Sequence, residues 1–125
     1  MQRNTVQRTL ILDAVRSVRT HPTADEIYNM VSGRCPGISR GTVYRVLGNL
    51  AVEGEILRIP VADAPDRFDL TVQPHAHGKC DCCGRVFDIN LENYPTEGKN
   101  PDFIVASISV IASGRCRSCA GTDIP

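Results

Sequence analysis

Two cysteine pairs constrain this chain more than any other feature: Cys80-Asp-Cys-Cys83 and Cys116-Arg-Ser-Cys119, separated by 32 residues. In each pair the C-x-x-C spacing lets two thiolates of one knuckle reach the same ion. Two such pairs complete a tetrahedral zinc shell with no open position. In a chain of 125 residues, a domain built around them has little room for a hydrophobic core, so metal binding supplies folding free energy instead. A disulfide framework belongs to secreted chains, and the N-terminus MQRNTVQRTL carries no apolar signal region. The longest apolar run, Phe103–Ala112, contains serines and falls short of a membrane span. These observations predict a cytoplasmic protein with no membrane association. Cys35 and Cys82 are left over; Cys82 stands in a C-x-C spacing with Cys80 that fits a knuckle less well.

The front of the chain reads as three helices and a hairpin. Asn4, with Gln7, is expected to cap a first helix whose apolar positions are Val6, Leu10, Ile11, Ala14, Val15 and Val18, broken at His21-Pro22. Thr23-Ala-Asp-Glu26 fits a capping box opening a second helix through Ile27, Tyr28 and Val31, which Gly33 and Pro36-Gly37 end. Ser39 caps a third, with Val43, Val46, Leu47 and Leu50 on one stripe and Gly54 at its end. Ile56–Ile59 and Arg67–Val72, joined through Ala62–Asp66, form a predicted β-hairpin. The fold class expected is α+β: a winged helix-turn-helix over residues 1–73, then a small zinc-stabilised α/β dimerisation domain over 74–125. In that second part, Gly84–Ile89 and Phe103–Ile111 are expected strands. Leu91–Asp102, with Pro95, Gly98 and Pro101, allows at most a short helix.

The net charge of zero conceals an asymmetry: residues 1–60 carry eight arginines and five acids, net +3, and residues 61–125 carry net −3. A basic front half suits a polyanion. If the third helix buries its apolar stripe, its opposite face presents Gly41, Tyr44, Arg45 and Gly48. Glycine lets the backbone approach DNA, arginine bonds guanine or phosphate, and tyrosine packs on a thymine methyl. Ser39, Arg40 and Thr42 sit at the helix N-terminus, where amides and hydroxyls favour phosphate. An ordinary solvent-facing helix would show the same stripe, but the residue types on the open face favour DNA.

A second set of metal ligands starts from His75-Ala-His77. In an extended segment, residues two apart point the same way, so both imidazoles can reach one ion. His21, Asp69 and Asp88 are three further candidates, and spacing alone does not bring these five together. Nitrogen and oxygen donors suit iron(II) or manganese(II) better than a thiolate-seeking ion.

HPTADEIY (21–28), ISRGTVYRVLGNL (38–50), DRFDL (66–70), HAHGKCDCCGRVFD (75–88) and CRSC (116–119) together resemble the ferric-uptake-regulator family over nearly the whole chain. The resemblance implies a homodimeric, metal-dependent repressor that binds a pseudo-palindromic double-stranded operator. It also implies a structural zinc at Cys80, Cys83, Cys116 and Cys119. The set His21, Asp69, His75, His77 and Asp88 resembles the regulatory iron or manganese site of the family's peroxide-sensing branch; the iron-sensing and zinc-sensing branches commonly have glutamate at one or both aspartate positions. Three features depart from the family. The chain starts about a helix late, which predicts a missing N-terminal contact to DNA. Arg45 looks like the iron-uptake branch, whereas some peroxide sensors have asparagine. Residues 91–102 match the family's dimerisation helix poorly.

The expectation is therefore a peroxide-sensing repressor and not an enzyme, with hydrogen peroxide and metal ions its small ligands. An iron- or zinc-responsive regulator is the alternative. A zinc enzyme such as a nucleobase deaminase is more remote: that chemistry needs a glutamate beside the metal-binding histidine and a water-bearing position. Here no acid lies between His75 and His77, and four cysteines close the shell.

Overall fold

The computed structural model describes residues 2–95 and 97–121, and the chain divides into two units, Met1–Gln73 and Pro74–Pro125.

In the first unit α1 (Gln2–Arg16), α2 (Ala24–Ser32) and α3 (Arg40–Val52) are followed by an antiparallel hairpin, β1 (Leu57–Ile59) and β2 (Arg67–Asp69). The expected cap at Asn4 is not one: α1 already begins at Gln2, because Gln and Arg propagate a helix well and carry it past Asn4. Its inward stripe is Gln7, Ile11, Ala14 and Val15; Val6 falls just off it and is 54% exposed. The capping box of α2 forms as the spacing predicts. The Glu26 N–H donates to Thr23 Oγ1 at 3.2 Å, and the Thr23 N–H donates to Glu26 Oε1 at 2.8 Å. Ser39 Oγ accepts from the Thr42 N–H at 3.1 Å and starts α3. The stripe Val43, Val46, Leu47 and Leu50 closes over Ile11, Val15, Ile27, Val31, Ile56 and Phe68 to make one core. Gly54, at φ 78°, then turns the chain where a side chain would be strained.

In the hairpin Arg58 faces Phe68. β2 stops at Asp69, short of the expected Val72. The Thr71 N–H folds back onto Asp69 Oδ1 at 2.9 Å, and that local bond replaces the ladder. The outer side of β2 is not bare: the Phe68 N–H donates to the Pro22 carbonyl at 2.9 Å, and Arg67 Nη1 donates to the His21 carbonyl at 3.0 Å. The link between α1 and α2 is thus tied to β2.

The second unit is a mixed sheet of order β4-β3-β5, formed by β3 (Ala76–Cys80), β4 (Val86–Ile89) and β5 (Ile111–Gly114), with a short α4 (Arg117–Ala120) after it. β3 runs antiparallel to β4 and parallel to β5. The strand expected over Phe103–Ile111 is wrong except for its last residue. The ladder of β3 on β5 begins at His77 and Ile111, with the Val110 carbonyl still accepting from the His77 N–H at 3.1 Å; before that Phe103 has an isolated bridge to Asn100, residues 104–109 lie in no strand, and Ile104 is 94% exposed. Residues 91–102 hold no helix among those described; Asn93 takes a left-handed turn at φ 57°, and the Tyr94 hydroxyl donates to the Ile108 carbonyl at 3.2 Å. The buried apolar residues described in this unit are few, namely Ala76, Cys80, Val86 and Ala120. No helix among the described residues is long and apolar enough to cross a membrane.

Candidate functional site

The four paired cysteines meet in the second unit. The sulfurs of Cys80, Cys83, Cys116 and Cys119 all lie within 4.8 Å of one another. The first knuckle is the turn between β3 and β4: the Gly84 N–H donates to the Cys80 carbonyl at 2.9 Å, with Gly84 at φ 77°. The second is the start of α4, where the Cys119 and Ala120 N–H groups donate to the Cys116 carbonyl. The knuckles are joined by the Asp81 N–H donating to the Gly114 carbonyl at 2.7 Å. Cys83 Sγ and Cys116 Sγ are 3.9 Å apart, close to the ~3.8 Å edge of a tetrahedron with zinc–sulfur bonds of about 2.3 Å. Donor type and spacing both fit zinc.

The electrostatics favour thiolate at part of the cluster. Backbone N–H groups of Cys116 and Cys83 donate to Cys80 Sγ at 3.4 and 3.5 Å, and these bonds pull its thiol down to about 5. Arg85 lowers Cys83 from the ordinary thiol range. Cys119 moves the other way, up to about 12, because its proton is shared with Cys116 and Cys80. A divalent cation reverses that last effect by taking the proton's place. Cys82 is exposed and makes no part of the cluster.

The remaining donors form a pair in the first unit and a triad in the second. His21 Nε2 lies 3.3 Å from Asp69 Oδ2, with both residues 5% exposed. The tie between the α1–α2 link and β2 brings them together. His21 also takes a left-handed φ of 56°, a conformation that costs a bulky residue roughly 1–3 kcal/mol. In the second unit His77 lies directly across the ladder from Asp88, and His75 is two residues before it. Asp88 Oδ1 is 2.8 Å from His75 Nε2 and 3.3 Å from His77 Nε2, and the two rings lie 4.2 Å apart. In each group the donors are imidazole nitrogen and carboxylate oxygen with no sulfur, a donor type that suits iron(II) or manganese(II).

On α3, Gly41, Tyr44 and Arg45 are exposed, while Gly48 is half-buried near Arg58 of the hairpin. Arg45 makes no ion pair among the described residues. Arg40 and Tyr44 are engaged: Arg40 Nη1 donates to Asp25 Oδ1 at 2.6 Å and the Tyr44 hydroxyl donates to the same oxygen at 2.9 Å. That bond raises the Tyr44 phenol above its ordinary range. Arg40 also stacks over Tyr28, 4.4 Å from its centroid. The Ser39 hydroxyl donates to that of Thr42 at 3.0 Å. Sequence reasoning missed two residues. Asp25 looks like an ordinary first-turn acid and touches Tyr44 only through the packing of α2 on α3. Arg85, two residues after Cys83, gave a signal only in its closeness to the knuckle.

The family model described as the ferric uptake regulator family matches residues 2–101. The peroxide-responsive repressor PerR of Staphylococcus saprophyticus is 34% identical over 121 residues, covering 94% of this chain and 82% of that protein. The crystal structure of the Campylobacter jejuni peroxide stress regulator superposes with a TM-score of 0.68 at 25% identity, covering 92% of this chain and 89% of the other. The Helicobacter pylori ferric uptake regulator shares the fold, with a TM-score of 0.70 at 18% identity over 94% of this chain and 82% of the other. With these sequence and structural matches, the chain belongs to the ferric uptake regulator family.

Proposed function

We propose that this chain is a dimeric, metal-dependent transcriptional repressor that senses hydrogen peroxide. The observation that carries the reading is the donor set: His21 paired with Asp69, and His75 and His77 paired with Asp88, all nitrogen and oxygen. The relatives named for a peroxide response support it, as does the aspartate at both carboxylate positions.

Residues 1–73 act as the winged-helix reader. Arg45 and Tyr44 contact bases, and Ser39, Arg40 and Thr42 contact phosphate. Residues 74–125 dimerise, with Cys80, Cys83, Cys116 and Cys119 holding a structural zinc. His21 and Asp69 from the reader and His75, His77 and Asp88 from the second part take one regulatory iron(II) or manganese(II) together. Only the arrangement that joins the two sets offers five ligands. The ion therefore favours that arrangement by its differential affinity, and this is all a ligand can do to an equilibrium. Two readers held at a set spacing fit successive major grooves of a pseudo-palindromic operator.

When bound, ferrous iron supplies the one-electron chemistry that activates peroxide. His21 and His75 are the side chains oxidised: a ring carbon gains one peroxide oxygen and the other leaves as water. The altered imidazole is a poorer ligand, the two donor sets part and DNA is released. The test is an operator-binding assay on iron-loaded and manganese-loaded protein with brief peroxide exposure, beside peptide mass spectrometry. The expected result is release with iron only, and one added oxygen on His21 or His75. If iron-loaded protein stays on DNA with both histidines unmodified, the sensor responds to iron itself, the reading that Arg45 keeps open.

A further inference from the structure

Arg85 makes two hydrogen bonds that the zinc shell does not account for. Its Nε donates to Cys83 Sγ at 3.3 Å and its Nη2 donates to Cys116 Sγ at 3.3 Å. These sulfurs are on different knuckles, so one planar guanidinium spans the two halves of the site. The position is built from below. Gly84, in its left-handed turn, brings the chain round, and the Cys80 N–H donates to the Arg85 carbonyl at 2.9 Å. The guanidinium then lies over the Phe87 ring, 5.4 Å from its centroid, which limits where it can swing.

We infer that Arg85 is a positioning residue for the thiolate cluster, bridging the two knuckles and screening their sulfur charge so that zinc is retained and the thiolates resist oxidation. The inference rests on the zinc reading of the four cysteines. Four thiolates around a divalent cation leave two excess negative charges, and one arginine offsets half of them. Its N–H bonds also occupy sulfur lone pairs. An unprotected thiolate attacks hydrogen peroxide by forming a sulfur–oxygen bond as the oxygen–oxygen bond breaks, giving sulfenic acid and hydroxide. In a protein that meets peroxide at its histidines, a thiolate shell that resists this attack keeps the second unit folded while the response proceeds. Lysine cannot substitute fully, because an ammonium restores the charge but lacks the fork that reaches two sulfurs.

The test uses the full chain, zinc-loaded, as wild type and as Arg85→Met, Arg85→Lys and Cys116→Ser. Zinc transfer to a chromophoric chelator is timed, and the thiolate-to-metal charge-transfer band is recorded after cobalt(II) substitution. Outer partners of metal ligands typically govern affinity by about 10–100-fold, so Arg85→Met should lose zinc faster by a factor in that range, with Arg85→Lys between it and wild type. Removing N–H bonds raises the sulfur lone-pair energy, so the cobalt band of Arg85→Met should move to longer wavelength, which a purely structural role would not produce. Wild-type release and an unshifted band in Arg85→Met overturn the inference. If that variant does not fold, the same two results in Arg85→Lys overturn the bridging role. Full zinc retention in Cys116→Ser would instead defeat the four-cysteine reading, so the two failures are separable.

Discussion

The Tyr44 hydroxyl and the Arg40 guanidinium end on the same oxygen, Oδ1 of Asp25. Two side chains of the outer face of α3 are therefore held by a carboxylate on α2 before any nucleic acid arrives. Arg40 can exchange one anion for another on meeting a phosphate, whereas Arg45, exposed on the same helix, has no such bond among the described residues. The two arginines should behave differently. Arg45→Ala should cost about 1–3 kcal/mol on the operator and relax sequence preference. Arg40→Ala should weaken operator and unrelated DNA alike and lower the salt slope by about one. Titrations at several salt concentrations check both, and an Arg45→Ala protein with intact operator preference would remove α3 from the recognition role.

Thr23 begins α2 and follows directly on the His21-Pro22 link. Its side chain caps the helix, so Thr23→Ala should destabilise the first unit by about 1 kcal/mol, read as a lower urea midpoint with unchanged slope. The substitution touches none of the proposed ligands. Metal-saturated protein should therefore recover operator binding at low temperature; if it does not, the cap also fixes His21.

Cys116 is both one of the four sulfurs of the cluster and the residue ahead of α4. Its replacement by serine should remove zinc and, with so few buried apolar residues among those described in the second unit, melt that unit and the dimer with it. Metal analysis and sedimentation on the same sample check this. A Cys116→Ser protein with one zinc per chain and an unchanged melting temperature contradicts the assignment.

Features carried by local chemistry were legible in the sequence. Thr23 and Glu26 are three residues apart, the paired cysteines likewise, and spacing alone sets their geometry. The triad was not legible from the residues alone, because His77 meets Asp88 only through the register of β3 on β4. His21 meets Asp69 only because the link after α1 is hydrogen-bonded to β2; it was the family resemblance, not the spacing, that put these residues in one set. The failure at Phe103–Val110 has a different cause. Apolar content and β-branched residues mark a segment able to join a sheet, but whether a neighbouring strand extends alongside it is a property of the whole unit. Here β3 begins only at Ala76 and its ladder on β5 only at His77 and Ile111, so the residues ahead of Val110 have run past the start of the strand they would join.

Asp88 is where the peroxide reading is most exposed to test. One of its oxygens already serves both His75 and His77, at 2.8 and 3.3 Å, and its place in the β4 ladder prevents the backbone from retreating. Asp88→Glu adds one methylene to this arrangement. The longer carboxylate keeps the charge and the donor type, so metal-dependent operator binding should survive. It also reaches further toward the ion and can occupy the coordination position that peroxide needs. The expected outcome is operator affinity within a few-fold of wild type with either iron or manganese, together with markedly slower release of the iron-loaded protein by peroxide and less added oxygen at His21 and His75. Band-shift assays and peptide mass spectrometry on one time course read both. If Asp88→Glu responds to peroxide as fast as wild type, the aspartate does not set the reactivity of the site, and the preference for a peroxide sensor over an iron sensor loses its chemical basis.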